Sequence, residues 1–383
     1  MPSRHYTRTT RFQSRAAVLA CALAAVLGCE SSKLPVAPRN IAAGTASDVV
    51  PDSGLRSDQL TVMTYNIYQG TELQNTLAAT NASEFVMGAA ADFAMMHETN
   101  FPARAQVIAA EIQAADPDLV AMQEVALWRT GVTQFPSVPA ITVDQDFLQI
   151  LLDALAARGD PYAVVSLVQN MDVQGPALLP TGLTDVRLTD RNVILAKATA
   201  ATARLGLSNP QSSNFATNLV IQTAVGTVPI KEGWASIDVR LAGRTVRFIT
   251  THLDAFAPPI RLAQANEILT GVANTTMPVI LAGDLNSTTD ATSYAAITGA
   301  GFADVWSVLE PGVDGFTCCE ASPTIDNDIP SLSQRIDYVL ERGALLPIYL
   351  NIIGATPISR TSSGLWPSDH AGLIARLRIQ PLL

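Results

Sequence analysis

Pro278-Val279-Ile280-Leu281-Ala282-Gly283-Asp284-Leu285-Asn286-Ser287 decides how the rest of the chain is read. Its apolar run is too short for a helix and is bounded by Pro and Gly, so the composition predicts a buried strand. The strand ends on Asp284 and, one bend later, Asn286. The same arrangement recurs outward from it. Leu60 to Ile67 has strand composition and ends at Asn66, and Asp118 to Glu124 is a buried strand that ends on Glu124. Trp234 to Val239 alternates, turns at Ala242-Gly243 and returns through Thr245 to His252, which reads as a hairpin with His252 at its end. Ile336 to Leu340 carries Asp337 near its start, and Asp369-His370 adjoin the last strand, Ala371 to Leu377.

Helical segments lie between these strands. Val107, Ile108, Ile112 and Ala115 recur at helical spacing over Ala103 to Ala115, and Asp116-Pro117 stops the helix. Phe147 to Ala157 and Arg261 to Ala273 also read as helices, and Val193 to Ala196 as a further strand. Strands alternating with helices, with hairpins among them, predict an α/β (α+β) domain of mixed sheets covered by helices. Residues 71–102 form an Ala/Met-rich insertion in which Met87, Met95 and Met96 are expected to fill core. Asp190-Arg191-Asn192 is expected in a turn, with Arg191 or Asn192 as a lesser candidate for touching a phosphate. Tyr162 is a lesser candidate for lining a cleft.

The chain has 383 residues, 48% hydrophobic and only 15% charged, which suffices for a sizeable core and excludes disorder over most of its length. Its formal charge is -10, and the first 28 residues hold four Arg and no acid, so the remainder is more acidic still. An acidic body is a poor match for a duplex backbone. Lys197, Arg204, Lys231, Arg240 and Arg247 are scattered and form no basic run, and Trp128, Trp234, Trp306 and Trp366 are more naturally core than a stacking groove.

The N-terminus reads as a targeting segment. Arg4 to Arg15 form a basic region, and Ala16 to Leu27 an apolar run too short to span a bilayer. Leu27-Gly28-Cys29 resembles a bacterial lipobox, although Leu27 replaces its usual small residue. That resemblance implies a lipoprotein signal over residues 1–28, lipidation of Cys29 and anchoring of an exported protein to a lipid bilayer at the cell envelope. An ordinary signal peptide, with secretion, is the alternative. Residues 29–57, rich in Ser, Pro, Ala and Gly, read as a flexible tether before a domain over 58–383. Cys318 and Cys319 are the two cysteines of the body, expected as a vicinal disulfide or a pair of free thiols in a loop over the site.

Singly, each strand-end polar residue has an ordinary explanation: a turn former, an exposed acid, a hydrogen-bonded core His, or an ion pair of Asp337 with Arg335. Together they would gather carboxylates, two His and two Asn at one rim, a donor set suited to a hard cation such as Mg²⁺ or Mn²⁺. The ordered motifs Thr64-Tyr65-Asn66-Ile67, Gln123-Glu124-Val125, Thr251-His252-Leu253-Asp254, Gly283-Asp284-Leu285-Asn286, Arg335-Ile336-Asp337-Tyr338 and Ser368-Asp369-His370 resemble those of the endonuclease/exonuclease/phosphatase superfamily. That family includes secreted deoxyribonucleases, abasic-site endonucleases, bacterial sphingomyelinases and inositol-phosphate phosphatases.

The resemblance covers nearly all of the chain after the tether and implies a four-layer sandwich of two packed mixed β-sheets flanked by helices. It also implies roles. Asn66, Glu124 and Asp369 would hold the metal, and His252 would face the leaving group. Asp284 and Asn286 would position the attacking water and the phosphate, Asp337 would orient His370, and His370 would contact the phosphoryl oxygens or act as base. The activity implied is Mg²⁺- or Mn²⁺-dependent hydrolysis of a phosphate ester by in-line attack of water. A phosphodiester is favoured, whether phospholipid, nucleic acid or small molecule, and a monomer is expected. The alternatives are a phosphomonoesterase and a non-catalytic binding lipoprotein on the same fold. All six motifs are intact, which argues against the latter.

Overall fold

The structure is a computed structural model that describes residues 58–134, 137–198 and 205–380. The expected signal segment, Cys29 and the tether lie outside the described residues. No helix among those described is long and apolar enough to cross a membrane.

Two mixed sheets make the frame. The first contains β1 (Gln59–Asn66), β2 (Leu119–Gln123), β3 (Leu127–Val132), β4 (Thr142–Asp146), β5 (Tyr162–Leu179), β6 (Gly182–Lys197), β15 (Leu345–Ile353) and β16 (Gly372–Ile379). Its order is β15-β16-β1-β2-β6-β3-β4, with β5 also paired to β6. The second contains β7 (Gly206–Asn214), β10 (Gly233–Leu241), β11 (Arg244–His252), β12 (Val279–Asp284), β13 (Ala303–Asp304) and β14 (Asp337–Arg342), ordered β13-β14-β12-β11-β10-β7. The pairs β1–β2 and β11–β12 are parallel, and their neighbours run antiparallel. A separate hairpin joins β8 (Leu219–Thr223) to β9 (Gly226–Ile230).

Side-chain alternation explains the layering. Along β1, Leu60 and Val62 enter the core between the sheets, while Met63 and Tyr65 enter a second core. Along β12, Ile280 and Ala282 face inward, and Val279 and Leu281 outward. A strand buried on both faces loses its polar alternation, which is why β12 reads as a continuous apolar run as far as Gly283. Outside the first sheet lie α2 (Ala82–Glu98), α3 (Phe101–Ala115) and α4 (Phe147–Ala157), contributing Phe93, Met96, Ile108, Ile112 and Leu151 to its outer core. Outside the second lie α5 (Pro258–Thr270) and α6 (Thr292–Gly299), contributing Ala265, Ile268 and Ile297. The four layers are thus helices, sheet, sheet, helices, as the family resemblance implies. Two short helices, α1 (Gln74–Leu77) and α7 (Val305–Leu309), complete the set among the described residues.

Two sequence expectations fail locally. Asp190-Arg191-Asn192 is not a turn but the interior of β6, where all three residues are buried. The register Val168↔Asn192 and Met122↔Val193 leaves no bend there. Met87 is 56% exposed and fills no core, whereas Met96 is fully buried.

Candidate active site

Backbone register brings the strand-end residues to one rim. His252 pairs across to Asp284, and Asp284 to Asp337, so one row of the second sheet ends in an imidazole and two carboxylates. In the first sheet, Asn66 pairs with Gln123, and Glu124 follows directly. Hydrogen bonds cross between the two sheets at this rim. Asn66 Nδ2 donates to Glu124 Oε1 (2.9 Å) and to Asp284 Oδ2 (3.1 Å), and Gln123 Nε2 donates to Thr250 Oγ1 (2.9 Å). Gly283 is required for the approach of β12 to β11, because a Cβ there would lie 2.1 Å from the Thr251 carbonyl oxygen. The following bend is an Asx turn in which Asp284 Oδ1 accepts from the Asn286 amide (2.8 Å). Asn286 itself takes a left-handed backbone (φ 46°), which Asn tolerates, and Glu124 does the same (φ 57°), which Glu tolerates less well.

Two histidines face Asp284 from opposite elements. His252 Nε2 lies 3.4 Å and His370 Nε2 3.8 Å from Asp284 Oδ2. His370 Nδ1 is 2.8 Å from Asp337 Oδ2, and both residues are buried. That contact leaves the His370 Nε2 as the nitrogen turned to the cleft. His252 Nε2 receives the Asn286 amide at 2.9 Å, and the same amide donates to the Leu253 carbonyl (2.9 Å). With Nε2 as acceptor, the neutral ring carries its proton on Nδ1, toward no hydrogen-bond partner in the protein.

The acids around the rings set the electrostatics. Burial opposes charge on His252, yet Glu232, Asp284 and Glu124 raise its pKa to about 9. Burial opposes charge on His370 as well, and Asp337 and Asp369 overcome it to raise its pKa well above the usual value. On the other side of the cleft, burial and Asp369 raise Glu124, burial and Glu124 raise Glu72, and burial raises Asp369 to about 6. His252, His370 and Arg104 offset these three acids only in part, and Arg104 directs its donors to the backbone carbonyls of Thr99, Ile67, Pro367 and Tyr68 (2.7–3.0 Å) rather than to a carboxylate. A crowd of hard oxygen donors short of positive charge fits a divalent cation such as Mg²⁺. Three tighter groups exist among the described residues, each with ligand atoms within 4.8 Å of one another: Asp284, Asp337 and His370; Asp190, Glu232 and His252; and His370 with Cys318 and Cys319. Asn66 presents its amide nitrogen, not its oxygen, to Glu124, and its Oδ1 accepts from the Tyr68 amide (3.0 Å).

All eight candidate residues are therefore brought to one rim. Glu124, His252, Asp284, Asn286, Asp369 and His370 line a cleft of about 200 Å³, with Asn66 and Asp337 bonded directly behind them. The lesser candidates are not there. Arg191 donates to the carbonyls of Val125 and Ala126 and pairs with Asp146, and Asn192 donates to the Gly233 carbonyl. Tyr162 sits at the far end of β6, opposite Lys197, with its hydroxyl on the Pro117 carbonyl. Arg335 pairs with Asp304 and leaves Asp337 to His370.

Other residues of the site were not singled out from the sequence. Glu72 lies in the insertion and follows no strand. Asp190 hides inside a long strand. Glu232 had a usable signal: continuing the Ala242-Gly243 hairpin register puts Gly233 opposite His252, and Glu232 beside it. Arg104 ties the segment after Asn66 to the segment before Asp369. Thr317 to Glu320, expected as a loop over the site, pairs with the segment around His370, since Glu320 N bonds Asp369 O (3.0 Å) and Ala371 N bonds Thr317 O (2.7 Å). Thr317 Oγ1 also accepts from the Asp337 amide (3.2 Å), so this loop clamps Asp337 against His370. Cys318 and Cys319 form a vicinal disulfide at the cleft wall, as expected for one of the two alternatives.

Residues 63–370 match the Endonuclease/Exonuclease/phosphatase family. The chain belongs to that family, and with it to the phosphoesterase- and nuclease-type hydrolases. Among curated proteins none matches. Solved structures with a similar fold include D. rerio TDP2 humanized by 14 mutations (17% identity, 84% of this chain and 99% of that chain, TM-score 0.50). A family protein from Bacteroides thetaiotaomicron is similar at 17% identity over 85% of this chain and 98% of that chain (TM-score 0.50). One from Beutenbergia cavernae is similar at 21% identity over 84% of this chain and 72% of that chain (TM-score 0.50). At these identities the likeness is one of fold.

Proposed function

We propose that the protein is a divalent-metal-dependent phosphodiester hydrolase. One observation carries the reading: Asp284 Oδ2 is approached by Asn66, His252 and His370 from three separate elements, at 3.1, 3.4 and 3.8 Å. A carboxylate fixed by Asn66 and facing both imidazoles is placed to orient a water and take its proton. His370, fixed through Nδ1 by Asp337, presents Nε2–H to a non-bridging phosphoryl oxygen, where negative charge grows during attack. His252, whose pKa the surrounding acids raise to about 9, gives its proton to the departing oxygen, and the neutral ring left behind accepts from Asn286 at Nε2. Asn286 holds His252 and, through its amide contact with Asp284, the distance between acid and base. Mg²⁺ or Mn²⁺, held by Glu124 and Asp369, would supply further positive charge to the phosphate, with Asn66 orienting the Glu124 carboxylate rather than ligating the ion. Glu124 and Asp369 then have a reason to stand together despite their mutual repulsion.

The basic and apolar N-terminal segments and Leu27-Gly28-Cys29 support export and a lipid anchor at Cys29. Fatty-acid labelling of the chain in a bacterial host, lost in Cys29→Ala, tests that part separately. The catalytic reading is tested by turnover of bis(p-nitrophenyl) phosphate with Mg²⁺, Mn²⁺ or EDTA, beside p-nitrophenyl phosphate, DNA and sphingomyelin. Metal-dependent cleavage of diesters, abolished in His370→Ala, is expected. Preference for the monoester would make it a phosphomonoesterase, and no turnover of any of these would favour a binding protein.

A further inference from the structure

An apolar pocket of about 80 Å³ opens beside the cleft. The two cavities share the side chains of Leu73, Leu77, Met171 and Ile230, so they are parts of one continuous surface. The pocket's deeper wall includes Phe85, Val186, Leu188 and Val228. Its few polar neighbours are satisfied within the protein. Asp92 accepts from Thr71, Asn75 and Thr76, Gln174 bonds Ala140, Val138 and Asp185, and Thr223 bonds the Gly226 carbonyl. A cavity with no unpaired donor or acceptor offers nothing to a charged or hydroxylated group and favours an apolar one.

None of these walls comes from the strand ends that carry the catalytic residues. They come from α1, α2, Trp128 of β3, the β5–β6 hairpin and the β8–β9 hairpin. The packing is close: a Cβ on Gly175 would meet the Phe85 ring at 2.6 Å, so glycine is what allows α2 to lie on β5 and form the pocket floor. Its rim joins the cleft next to the reactive groups. Ile230 is two residues from Glu232, and Met171 follows Asn170, which donates to Asp190 (2.8 Å), both acids lying beside His252.

We infer that this pocket is a specificity subsite for a short, unbranched alkyl substituent on the phosphodiester, so that the preferred substrates are diesters with one apolar arm. This rests on the phosphodiesterase reading. By comparison with an apolar cavity of ~150 Å³ that holds benzene, the pocket suits about three or four carbons. Burying each methylene contributes about 0.8 kcal/mol, roughly fourfold in affinity.

The test uses the full chain with Mg²⁺ and the p-nitrophenyl diesters of methyl, ethyl, propyl, butyl and hexyl phosphate. Dialkyl phosphates of the same chain lengths are titrated by calorimetry, which requires no turnover. kcat/KM and affinity are expected to rise about fourfold per carbon up to propyl or butyl and then level off. Val228→Trp, on the surface hairpin, fills the pocket and should flatten both series while leaving the methyl ester unchanged. Leu188→Ala, which deepens it, should move the plateau to longer chains. A flat series in the parent protein, or an unchanged slope in Val228→Trp, would overturn the subsite. Failure to hydrolyse any ester would instead remove the phosphodiesterase reading, and the calorimetric series would still decide the pocket.

Discussion

Replacing Asp337 with Asn removes one charge from a residue that touches no solvent and no substrate, which isolates how the site holds His370. Asp337 is fully buried and its Oδ2 lies 2.8 Å from His370 Nδ1. A hydrogen bond to a charged group contributes about 1.5–3 kcal/mol, which converts to roughly 10- to 150-fold in rate if it is expressed in the transition state. That is the loss expected if the Asn oxygen still accepts from Nδ1. If the Asn amide turns its nitrogen to the ring, the proton moves to the wrong nitrogen, and losses of about 10⁴ in kcat are the precedent for such a reversal. KM should hardly change. Asp337 is the largest of the charges raising His370, so the pH at which His370 loses its proton should fall in the variant. Stability should shift little, because burial already makes the Asp337 carboxylate unfavourable and raises its pKa. The assay is kcat and KM for bis(p-nitrophenyl) phosphate across pH at saturating Mg²⁺, with urea unfolding in parallel. A kcat within twofold of the parent and an unmoved pH profile would show that Asp337 does not set the state of the His370 ring.

Three further outcomes follow from buried charges. Burial raises Glu111 to about 7, against hydrogen bonds from Ser359 and Tyr65. The folded state therefore keeps a proton that the unfolded chain releases near 4.5, so this residue makes stability fall as pH rises from about 4.5 to 7. Glu111→Gln should remove that slope from melting temperatures measured across the window. Arg104→Lys cannot reach the four carbonyls its guanidinium now serves; a loss of about 3–5 kcal/mol on urea unfolding is expected, and activity should fall with it because Asn66 and Asp369 lose their shared tie. Mg²⁺ at a hundred times its dissociation constant should stabilise the fold by about 2.7 kcal/mol, read as a rise in melting temperature that EDTA reverses.

Much of this arrangement was legible in the sequence, for identifiable reasons. Short apolar and β-branched segments each end on a polar residue where the chain leaves the core, so Asn66, Glu124, His252 and Asp284 stand out. Helix α4 was read at Phe147 to Ala157, the span it occupies. Polar residues that lie inside strands gave no such contrast. Asp190 and Arg191 looked like a turn because a charged pair is rarely found in a strand interior, and here tertiary partners make it tolerable: Asn170 for Asp190, and two carbonyls with Asp146 for Arg191. Arg104 carries no local signal, since nothing in its neighbours along the chain marks a guanidinium that caps loops distant in sequence. The pocket walls in α1, α2 and the β8–β9 hairpin were also invisible, because they are assembled only by tertiary packing.

Mn²⁺ binding by calorimetry, run on the parent chain and on Glu124→Gln, tests the metal-dependent site most directly. Saturable binding by the parent is expected, with its loss, or weakening by at least tenfold, in a Glu124→Gln variant that still melts cooperatively. Equal binding by both chains, or none by the parent at millimolar Mn²⁺, would contradict that expectation.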